Sequence, residues 1–512
     1  MLIFLSLITI CAGRQVPNVL HLMADDMRPQ MAAYGQTMML TPHLDALAAS
    51  ALVFDNAYTQ FAYCAPSRNS FMTGRRPERT QCLNFNTDFR DVYNTTWTAM
   101  PQFFKEADYF TSAAGKLYHD GMDDPLSWSY KSNQTDWVHC HEGDYNDTFH
   151  NFCGITVNST YQYTDEDLAL FEGMERMKAG QASGQPWWVG IGVHRPHWPA
   201  RLPELWYGPR VYPGTIEPPK WPLGIPNAPY MSGAYRDGDF QNPAFGCPTC
   251  AAPTNDTIEY RRWYYAAVSY TDFMLGKALT LLNSFGPDVV ANTIVVFHSD
   301  HGYQLGELNE WSKKTTTELA TRVPLIIRVP WKSASVGARS AVKAELVDLY
   351  RTLVYLAGLN TAKIQANVQG MSLAPLFDAP LNPPPSLSTK IAYSQIGSCG
   401  CKTYTVGNWT GLECNTARCA FVNVTDFDFM GYTMITPDNW RYTLWAGMNK
   451  TTARVNFHEK LFDELYDQSG DGSTTGSADF DYDGYSNNVA SQNPTKVTQY
   501  REQLINQVLS WY

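Results

Sequence analysis

The sequence predicts an α/β fold, a large and mostly parallel sheet sandwiched by helices, followed by a smaller C-terminal antiparallel sheet with a terminal helix. Over the first two thirds of the chain, short runs rich in β-branched and aromatic residues alternate with helix-like stretches. From about Leu387 the texture changes. Segments such as KIAYSQ, GYTMITP and RYTLWAG alternate with turns, and the ending from Thr495 to Tyr512 reads as a helix. The 512 residues contain 44% hydrophobic and 17% charged residues, enough apolar material to bury a large core.

Four of the predicted strands end on chemically capable residues. The first, about Asn18 to Ala24, runs into Asp25 and Asp26. The second, about Tyr109 to Ala114, leads through Gly115 to Lys116 and His119. The third, about Trp187 to Val193, ends at His194, and the fourth, about Thr293 to His298, runs into Ser299, Asp300, His301 and Gly302. In open α/β sheets the ligand lies beyond the carboxyl ends of the strands, so residues scattered in sequence are expected to converge there. Residues 196 to 253 carry many prolines and few helical signals. They read as an excursion packed over the sheet, either walling a substrate pocket or simply covering it.

Three segments follow from these patterns: a leader over residues 1–13, a catalytic domain over 14–385 and a smaller subdomain over 386–512. The leader, LIFLSLITICAG, is too short to span a bilayer and has the length of a signal-peptide core, although it lacks a basic flank. Eight N-glycosylation sequons, at Asn94, Asn133, Asn146, Asn158, Asn255, Asn408, Asn423 and Asn449, also favour the secretory pathway, with a lysosomal or extracellular destination. A net charge of -11 argues against an extended basic face for nucleic acid or anionic membrane, and no membrane span is expected.

Of the eleven cysteines, Cys11 lies in the leader, and Cys140 with Cys153, Cys247 with Cys250, and the cluster Cys399, Cys401, Cys414 and Cys419 read as disulfide material in an oxidising compartment. A zinc site at His139, Cys140, His141 and Cys153 is the weaker reading. The CPTC at 247–250 lies in a Pro-rich loop, where a redox role is not expected. DQSGDGS, starting at Asp467, has Ala478 where a calcium loop needs Glu and reads as a solvated loop.

The strongest local signal is CAPSRNSFMTG, Cys64 to Gly74, which opens a predicted helix. CxPSR followed by TG resembles the signature of the type I sulfatases, and the resemblance extends to Asp25 and Asp26, LTPHLDALAASALVFDNAY, GKLYH, HRPHWP and SDHGYQLGE. Within that family, TGRRPERT, NEWSKK, IAYSQ, MGYTMIT and NWRYTLWAG are similar to the branch acting on 2-O-sulfated uronic acids. Tyr303, Leu308 and Lys314 depart from its pattern at positions expected to line the pocket.

The resemblance implies an alkaline phosphatase-like fold and a sulfated carbohydrate substrate. It also implies one calcium ion per chain and a formylglycine made from Cys64 by the formylglycine-generating enzyme, its partner during maturation. The hydrated aldehyde attacks sulfur, the alcohol leaves, and sulfate is then expelled as the aldehyde re-forms. Asp25, Asp26 and Asp300 supply hard oxygen ligands beside residue 64, and His301 is carried over as a ligand from the resemblance. Lys116, Lys313 and Arg68 are expected to neutralise the transferring group. His119 and His194 are candidates for proton transfer, whereas His197 reads as a packed histidine in a Pro-rich turn. The alternatives are sulfatase action on another glycan, a phosphonate or phosphate ester hydrolase of the same superfamily, which can share CxPSR, and a catalytically silent glycan-binding relative.

Overall fold

The computed structural model describes residues 15–119, 121–133, 145–147, 152–155, 165–203, 206, 212, 216–225, 227–228, 254–406, 409–414, 416–470 and 487–512. Nine strands form the main sheet: β1 (Asn18–Asp25), β2 (Leu52–Tyr58), β3 (Phe110–Gly115), β4 (Ser132–Asn133), β5 (Trp187–Pro196), β6 (Thr293–Ser299), β7 (Arg322–Val323), β8 (Leu325–Arg328) and β9 (Ala338–Glu345). Their order is β7-β2-β8-β6-β1-β5-β3-β4, with β9 pairing β2. The pairs along β6-β1-β5-β3-β4 are parallel, and so is β2 with β9. The antiparallel pairs all involve β7 and β8.

Parallel strands covered on both faces read as near-continuous apolar runs, and β1 shows why. Val19 and Met23 join the core cluster on one face, while Leu20, Leu22 and Ala24 join that on the other. On the first side lie helices α2 (Cys64–Thr73) and α5 (Leu349–Leu356). On the second lie α1 (Pro42–Ala48) and α4 (Thr254–Ser284). Helix α3 (Asp165–Ala182) runs along β3 and β5, its Gly173 against Ile191.

The smaller sheet consists of β10 (Ala392–Cys399), β11 (Phe427–Ile435), β12 (Trp440–Asn449) and β13 (Arg454–Asp467), antiparallel throughout. Helix α6 (Pro494–Leu509) packs on it. Its core takes in Phe61, Tyr63 and Leu83 from the main body, so the packing is continuous up to the residue before Cys64. Disulfides join Cys399 to Cys419 and Cys401 to Cys414. The expected Cys140–Cys153 and Cys247–Cys250 pairs and most of the Pro-rich excursion lie outside the described residues. Among the described residues, no helix is long and apolar enough to cross a membrane.

One helix end is capped from a distance. Thr41, the residue before α1, makes no side-chain cap. Instead the Leu44 and His43 N–H groups donate to the buried Asp272 carboxylate of α4, at 2.7 and 3.2 Å. Burial pushes Asp272 up to about 7, against the pull of those two N–H donors. The folded chain therefore holds this proton more tightly than the unfolded chain. The group's contribution to stability grows as pH falls from about 7 toward the ordinary carboxyl value near 4. Thermal melts of wild type and Asp272→Asn at several pH values are expected to show a difference in Tm that moves in favour of wild type on acidification. A difference independent of pH would mean that Asp272 ionises as an ordinary carboxyl.

Candidate active site

Strands β6, β1, β5 and β3 are neighbours in that order and parallel, so their carboxyl ends face one edge of the sheet. Asp25 and Asp26 end β1, Asp300 and His301 follow β6, and Lys116 follows β3. Strand β5 runs on to Pro196, three residues past its expected end, and delivers both His194 and His197. At the β3–β5 join the backbones nearly touch. A Cβ on Gly192 would lie 2.2 Å from Lys116 O, and Gly115 has φ +72°. Only glycine fits such an approach, which lets the Lys116 N–H donate to Gly192 O at 2.9 Å.

Cys64 is the first residue of α2, whose ten residues are all buried. Ser67 Oγ donates to Asp300 O at 2.6 Å and tethers the helix to the end of β6. One turn from Cys64, the fully buried Arg68 donates through Nε to Asp300 at 3.0 Å. Its Nη2 lies 2.9 Å from Asp300 and 3.2 Å from Asp25, and Nη1 donates to the Lys116 carbonyl. A rigid guanidinium fork suits this three-way junction.

Asp26 adopts φ 61°, a left-handed conformation rare outside glycine. Its N–H donates to Asp300 at 3.2 Å, and its carbonyl accepts the Tyr264 hydroxyl of α4 at 2.7 Å. The loop carrying Lys313 is similarly constrained, with positive φ at Leu308, Asn309, Ser312 and Lys314. Lys313 Nζ reaches Asp26 and lies 3.4 Å from Cys64 Sγ, and Lys116 Nζ lies 2.6 Å from Asp25.

Ligand atoms of Asp25, Cys64, Asp300 and His301 fall within 4.8 Å of one another. His301 Nδ1 is 3.0 Å from Gly302 O, which can only accept, so this nitrogen carries the hydrogen. The lone pair of Nε2 therefore points inward, 3.2 Å from Cys64 Sγ and 3.4 Å from both Asp26 and Asp300. Burial, reinforced by Lys313, keeps His301 neutral. Three crowded carboxylates and one inward imidazole nitrogen suit a divalent cation held mainly by oxygen.

The carboxylates respond unequally to their setting. Burial pushes Asp25 up, but Lys116 and Arg68 outweigh it and hold Asp25 well below the usual range. Asp26 is raised by burial and by Asp25 and Asp300, with Lys313 opposing. Asp300 is pushed up to about 6 by burial, with Arg68 opposing. The Cys64 thiol is raised by burial and by Asp25, beyond what Lys313 and Lys116 offset. As a cysteine it is a neutral thiol and a poor nucleophile.

All ten expected site residues lie at this edge, and the structure adds His197. Its Nε2 is 3.8 Å from Asp26 and its ring 4.5 Å from that of His194. It shares ligand-distance clusters with Asp25 and His194, and with Asp26 and Cys64. The reading of His197 as a packed turn residue is thus corrected. The H-x-x-H spacing after an apolar strand was the available signal. His119 stacks on Phe85 at 4.0 Å and is lowered to about 2 by burial and then by Lys116 and Arg68.

Of the three positions expected to line the pocket, two pack into the interior. Tyr303 is fully buried against Tyr260 and Tyr264, and Leu308 packs with Ile225, Leu319 and Tyr466. Lys314 does adjoin the site, 5.0 Å from the Tyr63 ring.

Comparison with known proteins agrees with this geometry. Human iduronate 2-sulfatase is 31% identical over 507 residues, covering 88% of each chain. Among solved structures, the phosphonate monoester hydrolase of Silicibacter pomeroyi matches with a TM-score of 0.69 at 19% identity, over 97% of this chain and 96% of that one. A 2-O GAG sulfatase matches with a TM-score of 0.65 at 18% identity, over 97% and 93%. At such identities the structural matches show the shared fold alone. The sulfatase family model matches residues 17–359, and with the human relative this places the chain in the sulfatase family, as an enzyme that hydrolyses sulfate esters.

Proposed function

We propose that residue 64 acts as formylglycine and that the chain removes sulfate from a sulfated sugar, with a 2-O-sulfated uronic acid at a glycosaminoglycan end as the favoured substrate. The observation that carries the reaction is the placement of Cys64. It is a neutral thiol at the start of a buried helix, against Lys313 and beside three carboxylates. A thiol in that state is unsuited to attack, whereas formylglycine would supply a hydroxyl nucleophile there. A calcium ion held by Asp25, Asp26, Asp300 and His301 would add positive charge to make that hydroxyl more acidic. Likeness to iduronate 2-sulfatase supports the choice of sugar.

In this reading Lys116, Lys313 and Arg68 face the sulfate charge. His197, with Nδ1 2.5 Å from the Trp198 carbonyl, keeps Nε2 as a proton acceptor near Asp26. Burial, Lys313 and Lys116 hold that ring neutral at rest, so its Nε2 lone pair stays unprotonated until charge around it changes. His119, half-buried on Phe85 and kept neutral by its surroundings, can meet the leaving oxygen only as a hydrogen-bonding imidazole, and His194 positions His197. Because α2 is wholly buried, a formylglycine-generating enzyme would have to reach Cys64 before the chain folds. Exposed sequons at Asn94, Asn255, Asn423 and Asn449, together with the two disulfides, support maturation in the secretory pathway toward a lysosomal or extracellular site.

The phosphonate or phosphate ester reading has one observation in its favour, the likeness in fold to a phosphonate monoester hydrolase. Comparable turnover of an aryl phosphate and an aryl sulfate would establish it in place of the sulfatase reading.

Three outcomes follow. Peptide mass spectrometry of active enzyme, co-expressed with the formylglycine-generating enzyme, is expected to find the aldehyde at residue 64, and Cys64→Ala to lose activity. An unmodified thiol in active protein would sink the proposal. Chelation is expected to lower Tm as well as activity, and added calcium to restore both; an unchanged Tm would argue against a bound cation. Arg68→Ala leaves Asp25 and Asp300 without their shared guanidinium. It is expected to cost on the order of 3–5 kcal/mol in urea unfolding. A loss under about 1 kcal/mol, the range of an exposed ion pair, would remove Arg68 from the centre of the site.

A further inference from the structure

The small subdomain reaches the rim of this site through a short covalently anchored segment. Cys419 is joined to Cys399 at the end of β10, and two residues further on Phe421 stands 71% exposed. The segment is tied to the loop after α2 as well. The Phe85 N–H donates to Ala420 O at 2.8 Å, and Asn84 Nδ2 donates to Val422 O at 3.0 Å. Phe421 meets Phe85 edge to face at 5.9 Å.

Phe85 connects this rim to the chemistry. Tyr63, the neighbour of Cys64, stacks on it at 4.3 Å, and His119 lies 4.0 Å away at a similar tilt. Two rings at those distances cannot share one face, so Phe85 is sandwiched between them. Its faces are used up, and Phe421 is the next ring outward, with most of its surface uncovered. Exposure alone would prove little, since Leu381 is 80% exposed as well. What sets Phe421 apart is its continuity with Tyr63 and His119 and its double anchorage, which removes the ordering cost of presenting an apolar ring to a ligand.

We propose that Phe421 is a specificity residue, the platform on which the sugar next to the sulfated one stacks its apolar C–H face. This rests on the sulfated-sugar reading above. The sulfated unit must reach residue 64, inside the Tyr63–Phe85–His119 stack, so the ring further out is left to the following unit. An aromatic beside a polar cleft gives such a neutral sugar face both contact area and orientation.

Calorimetric titration of a heparin-derived disaccharide bearing a 2-O-sulfated uronic acid tests this independently of turnover when every protein titrated, including the one that is wild type at 421, carries Cys64→Ala so that the disaccharide is bound and not hydrolysed; inorganic sulfate is the control ligand. Phe421→Ala is expected to weaken disaccharide binding about five-fold while inorganic sulfate stays within about two-fold, and Phe421→Tyr to bind like wild type. Unchanged disaccharide binding in Phe421→Ala, an equal loss for inorganic sulfate, or no binding of the disaccharide by the protein that is wild type at 421 would each overturn the proposal. Aryl sulfate hydrolysis by wild type, run in parallel, separates the two failures, because its absence would count against the reaction and not against the platform.

Discussion

The site depends on one buried cation. Arg68 joins the ends of β1, β3 and β6 through Asp25, the Lys116 carbonyl and Asp300, and it does so from the helix that begins with Cys64. Without it, two carboxylates at neighbouring strand ends would repel each other where water cannot screen them. A guanidinium does what an ammonium could not, since its planar fork serves several oxygens at once with little loss of rotamer freedom. The spacing of four residues between Cys64 and Arg68 is one helical turn, so positioning residue 64 and organising the acids is a single structural event.

The small sheet extends this organisation to Lys313. Arg441 of β12 pairs with the buried Glu318 and donates to Thr316 O at 3.1 Å, which pins the segment just after Lys313. Tyr58 at the end of β2 donates to the same Glu318 at 3.0 Å. The left-handed residues Ser312 and Lys314 flank Lys313 and turn the chain so that its ammonium enters the site. Strain at these positions persists because both sheets fix the ends of the loop. The C-terminal part of the chain thus contributes to catalytic geometry as well as to the rim.

Much of this was legible in the sequence, for physical reasons. Strands buried on both faces must be apolar along their length, so β1, β5 and β6 announced themselves, and the polar residues stopping them marked the functional edge. The start of α2 was legible because CAPSR names it. Helix α4 was not singled out. It buries residues around most of its circumference, including Tyr260, Trp263, Tyr264, Ala266, Ala267 and Tyr270, so no single apolar stripe gives a clean period. The extension of β5 to Pro196, just before His197, was hidden by its prolines, which mark a loop in any reading by local propensity. Four clustered cysteines allow three pairings. The choice is made by tertiary register: Lys402 pairs with Glu413 in a two-stranded ribbon, which sets Cys401 opposite Cys414 at its open end.

Charge balance accounts for the reaction class the site can serve. Asp25, Asp26 and Asp300 face Arg68, Lys116 and Lys313, three acids against three bases, all buried. Pairing of each acid with a base is what allows such a cluster to be buried at all. A divalent cation at the carboxylates would turn it positive, and the group that best discharges a buried positive site is an anion entering from the open edge. Cation and anionic substrate would then each favour the other's binding, as linkage requires. A neutral ester would leave the charge uncompensated. The preference for an anionic ester is thus set by the charges gathered at this edge of the sheet.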